Sequence, residues 1–397
     1  MNTAAGRPVY LDYAASAPLE PRVAELMCAC LRDPALQANP SAVHRPGRAA
    51  AAVVAQARAR VAALIGAGPE AIVFTSGATE SVNLAVLGTV RAAPAGRGHV
   101  VTARTEHRAG LEACRELERA GHPVTWLRPD AGGRISAAQV GAALRPDTAL
   151  VSLMHANNEL GVLTDLVAIG RACAERDVPL HVDAAQSAGR VPLDVRESGV
   201  ALLSFCAHKL GGPKGIGALY LRRRPRPALR PLLFGGGQEG GLRPGTLATP
   251  LIAGFGLACE IAVGEIVKEE PRVRALRERL WAGLQPAAPV WRNGAAEPSV
   301  PGILNVCFPG IEGESLLFAL DGQLAATSGS ACSSASGEPS PVLTAIGRSE
   351  LAAQASLRLS LGRHTTAAEV DAAAALLIAA VQRLRRAAPP GAIERIA

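Results

Sequence analysis

The sequence predicts an α/β protein: a mostly parallel β-sheet with helices on both faces, plus a smaller α+β domain. Three observations carry that expectation. Short β-like runs alternate with helical patterns through the first two thirds of the 397 residues, the order that crossover connections between parallel strands require. After Pro250 the alternation gives way to long helical stretches. Hydrophobic residues make up 49% of the chain and charged ones 19%, enough apolar side chain to bury a large core and to divide into two domains.

Residues 49–65 carry the first clear helical pattern, residues 72–75 the first strand, and residues 80–90 the helix that follows it. Further strands are expected at 99–103, 124–127, 149–154, 180–182, 202–207 and 218–221, with helices at 108–120 and 166–176 between them. Beyond Pro250 the pattern predicts a helix from 251 to about 268, another over 272–284, and strand-like segments at 303–308 and 357–360. The expected division places residues 16–255 in a large domain, and residues 1–15 with 256–397 in a small one. The Pro-rich stretch after Ala387 ends the compact fold.

Composition narrows the class. The N-terminal Met1-Asn-Thr-Ala-Ala-Gly-Arg-Pro8 lacks the basic-then-apolar pattern of a signal peptide, and the apolar stretch 372–381 is too short to span a bilayer. A cytoplasmic protein without membrane attachment is expected. The eight cysteines (28, 30, 114, 173, 206, 259, 307 and 332) have no paired-knuckle spacing and are too dilute for a disulfide scaffold. Reduced thiols and no metal site follow. The net charge of +7 is concentrated partly in Arg222-Arg-Arg-Pro-Arg-Pro-Ala-Leu-Arg230, but aromatics make up only 3% and do not interleave with the basic residues. A solvated arginine-rich edge fits better than direct nucleic-acid binding, and such an edge attracts acidic proteins.

Lysine is nearly absent. Of 41 Lys and Arg residues, only Lys209, Lys214 and Lys268 are lysine, and Lys209 stands at the end of a strand-like apolar run, before the Gly-rich Gly211-Gly-Pro-Lys-Gly-Ile-Gly217. An amine that loses its proton on desolvation attacks a carbonyl, whereas a guanidinium stays charged. The alternative is a surface lysine after a strand.

Four constellations converge on the same strand ends. Phe74-Thr-Ser-Gly-Ala-Thr-Glu80 leaves a strand, turns at Gly77 and enters a helix, so backbone amides with Thr79 suit a phosphate, although a plain capped turn uses the same residues. Val182-Asp-Ala-Ala-Gln186 puts a carboxylate where α/β sheets bind ligands, or else caps a helix. Thr105-Glu-His107 and Asn157-Asn-Glu159 lie just beyond strands. Ser328-Gly-Ser-Ala-Cys-Ser-Ser-Ala-Ser-Gly337 is a polar, small-residue segment with one thiol at its centre, a setting expected to be mobile and exposed.

Together with Tyr10-Leu-Asp-Tyr13, Asn39-Pro-Ser41, Met154-His-Ala-Asn-Asn-Glu159, His181-Val-Asp183 and His208-Lys209, these motifs resemble the cysteine desulfurases of the class V pyridoxal-phosphate-dependent aminotransferase family. The resemblance runs from Tyr10 to about Arg386, and the Cys332 segment is similar to that of the group with the longer catalytic loop. It implies a fold type I pyridoxal-phosphate enzyme that converts L-cysteine to L-alanine and leaves a persulfide on Cys332. By the same resemblance Lys209 forms the Schiff base with pyridoxal phosphate, Asp183 faces the pyridine nitrogen, and His107 stacks on the ring and moves protons. Ala78, Thr79 and His208 would hold the phosphate, with Cys206 where the family usually has serine. Gln186 and Asn158 would hydrogen-bond near the phenolic oxygen or the substrate, and Arg358 would take the substrate carboxylate.

Gly245-Thr246 resembles the segment that reaches the neighbouring subunit's phosphate, which implies a homodimer with Thr246 at the shared site. A protein acceptor such as an iron–sulfur scaffold would receive the sulfur. Two alternatives stay open on these residues: a selenocysteine lyase or other class V lyase, and a non-catalytic partner-binding homologue.

Overall fold

The computed structural model describes residues 7–328, 339–387 and 393. Seven strands form its main sheet: β1 (Ile72–Thr75), β2 (His99–Ala103), β3 (Val124–Leu127), β4 (Thr148–Met154), β5 (Leu180–Asp183), β6 (Leu202–Cys206) and β7 (Gly217–Leu221). Their spatial order is β1-β7-β6-β5-β4-β2-β3. Only β7 runs against its neighbours, β1 and β6; the other pairings are parallel. Apolar clusters cover both faces of the sheet, as near-continuous runs of buried Val, Ile and Leu in its strands require.

This topology brings the ends of β1, β2, β4, β5 and β6 to one edge, where β7 begins. Gly217 pairs with Thr75 on one side and Cys206 on the other. A Cβ there would lie 2.7 Å from the Gly77 backbone and 2.8 Å from Phe205 O, so the turn after β1 closes over β7 only because residue 217 is glycine. His181 ties the middle of the sheet together, sharing hydrogen bonds of 2.9 Å with the Ser152 and Ser204 hydroxyls.

A second, antiparallel sheet pairs Ile303–Cys307 with Ser356–Ser360, flanked by Trp291–Arg292 and Thr327–Ser328. Leu11, Leu304, Val306, Leu357, Leu359 and Leu377 contribute to its own core. The helix Thr249–Gly283 belongs to both cores: Ile252, Phe255 and Cys259 pack under the main sheet, while Val273, Leu276 and Leu280 pack in the second.

Two expectations about this region change. The patterns at 251–268 and 272–284 form one 35-residue helix with Pro271 inside it. A proline removes one N–H donor and crowds the carbonyl four residues earlier, and cores gripping the helix on either side outweigh that cost. Among the described residues this segment, rather than 372–381, is the one long and apolar enough to cross a bilayer, and half of its apolar window is buried inside the protein.

Candidate active site

β6 ends at Cys206 and the chain makes a tight turn through Ala207–Lys209. Gly211 has φ 77°, and a Cβ on Gly212 would lie 2.8 Å from Ala207 Cβ, so the chain can double back here only through glycine. Arg190 pins the turn from beneath. Its Nη2 donates to Tyr13 O at 2.8 Å and to Lys209 O at 3.3 Å, and its Nη1 donates to Gln186 Oε1 at 2.9 Å. Gln186 Nε2 donates to Ala14 O at 2.8 Å, which leaves one amide N–H for another partner.

Burial pushes the Lys209 amine below the ordinary lysine range, with Arg190 and Arg358 acting in the same sense and Cys206 and Asp183 opposing. Desolvation of this kind favours the neutral amine, the form that can attack a carbonyl or accept a proton. Asp183 closes β5, is 5% exposed, and accepts from the Ala185 amide at 2.9 Å. His107 caps the helix Arg108–Arg119, its Nδ1 accepting from the Ala109 amide at 3.1 Å. That bond assigns the proton of the neutral ring to Nε2. Burial lowers the His107 pKa, Lys209, Arg108 and Arg358 add to the shift, and Asp183 opposes it. Lys209, Asp183, His107 and Arg358 therefore lie within one another's fields.

The helix Ala78–Ala92 starts next to this cluster. A Cβ on Gly77 would meet nothing within 4 Å, so the turn borders open space. The Cys206 thiol is raised by burial, an effect that Lys209 and the amides of Ala78 and Lys209 oppose; this places its sulfur against the helix start. Thr79 is exposed there. His208 is pushed down to about 4 by burial, with Lys209, Lys214 and Arg190 in the same direction, so its ring is neutral near pH 7. Ser16 Oγ lies 3.4 Å from its Nδ1. Glu80 does not compete for the helix start: it accepts from the Ser76 amide at 2.7 Å and from Arg243 Nε at 3.0 Å.

Arg358 is buried, donating through Nη2 to Asp12 Oδ1 at 2.9 Å and through Nη1 to Asn158 O at 3.1 Å. Its Nε and the Asn158 side-chain oxygen are buried with no hydrogen-bond partner among the described residues. Leaving such atoms unpaired costs stability, so the two suit a polar ligand. With the depressed amine of Lys209, the carboxylate of Asp183 and the amide-lined opening at Gly77, the residues present fit pyridoxal phosphate and an amino-acid substrate.

Thr246 stands apart. It is exposed, and no hydrogen bond joins it to the described residues around Lys209. Cys332 lies outside the described residues. Arg190 and Asp12 are contributions that sequence reasoning missed. Arg190 follows Gln186 at a spacing of four, which hints at contact on a helical turn, whereas nothing local links Asp12 to Arg358.

Comparison with known proteins places the chain. The model of the class-V aminotransferase family matches residues 9–373. The chain belongs to this family. Among curated class-V relatives, the cysteine desulfurase IscS of Aeromonas hydrophila is 52% identical over 384 residues, covering 96% of this chain and 95% of its own. That of Tolumonas auensis is 50% identical over 383 residues, again covering 96% and 95%. Among solved structures, a NifS-like protein superposes with a TM-score of 0.87 at 33% identity, covering 95% of this chain and 99% of its own. SspA, solved in complex with cysteine, superposes with a TM-score of 0.80 at 39% identity, covering 90% and 99%. The class-V relationship accords with the α/β fold and its mostly parallel main sheet.

Proposed function

We propose that this protein is a cysteine desulfurase that uses pyridoxal phosphate to convert L-cysteine to L-alanine and passes the sulfur to Cys332. What supports the reading is that a chain about half identical to cysteine desulfurases along nearly its whole length brings Lys209, Asp183, His107 and Arg358 within one another's electrostatic reach. When bound, the cofactor supplies an electron sink for charge developing on the substrate carbon.

Lys209 would hold the cofactor covalently, Asp183 would keep its ring nitrogen protonated, and His107 would lie against the ring. The Ala78 amide, Thr79, His208 and Cys206 would hold the phosphate, while the free N–H of Gln186 and Asn158 would bond near the phenolic oxygen. Arg358 would bind the substrate carboxylate, with Nε a donor unengaged by any of the described residues.

Lys209 Nζ, whose desolvation favours the neutral amine, would take the proton from the substrate Cα. His107 holds or returns a proton through Nε2. The Cys332 thiolate then attacks the substrate sulfur: an S–S bond forms, the Cβ–S bond breaks, and its electron pair stays with the carbon fragment. Cβ takes one proton, Cα recovers the one removed by Lys209, and the product leaves as alanine while Cys332 is left as a persulfide.

We further propose a cytoplasmic homodimer in which Thr246 completes the neighbouring subunit's phosphate site, and a protein acceptor such as an iron–sulfur scaffold. The exposed Leu233 and Phe234, on the segment leading to Thr246, support a subunit contact there. The test is incubation of the cofactor-loaded protein with L-cysteine and quantification of alanine. The reading expects continuous alanine release when a thiol reductant removes the sulfur; pyruvate in place of alanine would refute it.

A further inference from the structure

Ser340 follows Cys332 by eight positions. It is 1% exposed, and its hydroxyl is fully used. It donates to Glu159 Oε2 at 2.5 Å and accepts from the Val342 and Leu343 amides at 3.2 Å each. One proton and two lone pairs are all that a hydroxyl has.

Glu159 is itself held firmly. The amides of Glu159 and Leu160 both donate to Asn157 Oδ1 at 2.9 Å, Asn157 Nδ2 donates to Thr105 O at 2.9 Å, and Asn305 Nδ2 donates to Glu159 O at 3.3 Å. Apolar packing backs the polar contact, because Leu160 and Val162 share a buried cluster with Val342, Leu343 and Ile346. On the other flank of the Cys332 segment, Thr327 pairs with Arg358 and Ser328 with Leu357. Arg358 in turn donates to the carbonyl of Asn158, the residue before Glu159. Both flanks thus attach beside the guanidinium assigned to the substrate carboxylate.

We propose that Glu159 is a positioning residue for sulfur transfer, fixing through Ser340 one end of the segment that carries Cys332 relative to Arg358. The inference rests on the reading of Cys332 as sulfur acceptor. A carboxyl group suits the task because its oxygen accepts from the Ser340 hydroxyl whether or not the group is ionised. Burial pushes Glu159 up to about 7, while the Ser340 bond and the charge of Arg358 favour its ionised form.

The test uses cofactor-loaded Glu159→Ala, Ser340→Ala and Glu159→Gln proteins and reads two stages separately. The absorbance change of the cofactor on adding L-cysteine reports substrate entry, and peptide mass spectrometry reports persulfide on Cys332. Iodoacetamide alkylation of Cys332 without substrate gives a third readout independent of turnover. Both alanine variants are expected to slow persulfide formation roughly tenfold, the rate equivalent of one lost hydrogen bond. Their absorbance change stays within about twofold of the parent, since no group there touches the cofactor. Glu159→Gln, which still accepts from Ser340, restores most of the rate, and alkylation of Cys332 shifts only in the alanine variants.

If the alanine variants fail to fold, Glu159→Asp, which keeps the charge but falls one methylene short of Ser340, is expected to show the same selective loss. Persulfide formation at the parent rate, or an equal loss of both stages, would overturn the proposal. Absence of persulfide from Cys332 in the unaltered protein would overturn the parent reading and this inference with it.

Discussion

Arg358 Nη2 donates to Asp12 Oδ1 at 2.9 Å, a contact between residues 346 positions apart that orients the guanidinium before any substrate arrives. Their side chains are 7% and 19% exposed, so solvent screens the pair only weakly. With Nη1 on Asn158 O as well, the planar group is held at two points.

Asp12→Ala is therefore expected to raise the KM for L-cysteine roughly fivefold, about 1 kcal/mol of lost preorganisation, with a smaller effect on kcat. Steady-state kinetics on the loaded enzyme measures it. A lower KM would mean that Asp12 competes with the substrate carboxylate instead of positioning its partner.

Replacing Lys209 by alanine is expected to abolish alanine formation, because Lys214 is exposed and keeps none of the burial that depresses the Lys209 amine. Borohydride reduction followed by peptide mapping locates the cofactor. Cofactor fixed on the Lys214 or Lys268 peptide would contradict the assignment.

Cys206→Ser is expected to retain the cofactor or bind it modestly more tightly, measured by equilibrium dialysis. The thiol faces the Ala78 and Lys209 amides at the helix start, and a hydroxyl there is the better donor to a phosphate oxygen. Loss of cofactor would point to a packing requirement for sulfur.

Much of this site is legible in the sequence because each main-sheet strand ends in a local motif. The strand boundaries at 72–75, 99–103 and 124–127 coincide with those of the structure, since buried aliphatic runs flanked by turn residues leave little freedom. Helices Pro21–Arg32 and Ala137–Ala143 are not among the expected elements, although Pro21 at the start of one and the Ser136/Gln139 capping box on the other are start signals present in the sequence. Asp12 with Arg358, Arg190 with Lys209, and Glu159 with Ser340 escape sequence reading for a different reason. Their partners meet only when distant elements pack, and no periodicity encodes that. The helix through Pro271 is a tertiary override of a local stop signal, with two cores holding what the backbone alone would break.

Glu159 makes the stability of the protein depend on pH. Burial raises it from 4.5 to about 7, with Ser340 and Arg358 opposing. A carboxyl with a raised folded-state pKa holds its proton more tightly when folded; its contribution is complete below about pH 4.5 and is lost as pH rises through about 7. The melting temperature of the unaltered protein should thus fall more between about pH 5 and 8 than that of Glu159→Gln. Parallel curves for the two proteins would contradict the assignment.

The central claim is that sulfur leaves L-cysteine for Cys332. Its most direct measurement is peptide-resolved mass spectrometry of the cofactor-loaded protein after brief exposure to L-cysteine, alongside Cys332→Ser. The account predicts one added sulfur on the Cys332 peptide with an equal amount of alanine. In Cys332→Ser it predicts a retained cofactor absorbance, no persulfide and no catalytic alanine. Sulfur mapped to Cys206 or another cysteine, or full turnover by Cys332→Ser, would contradict it.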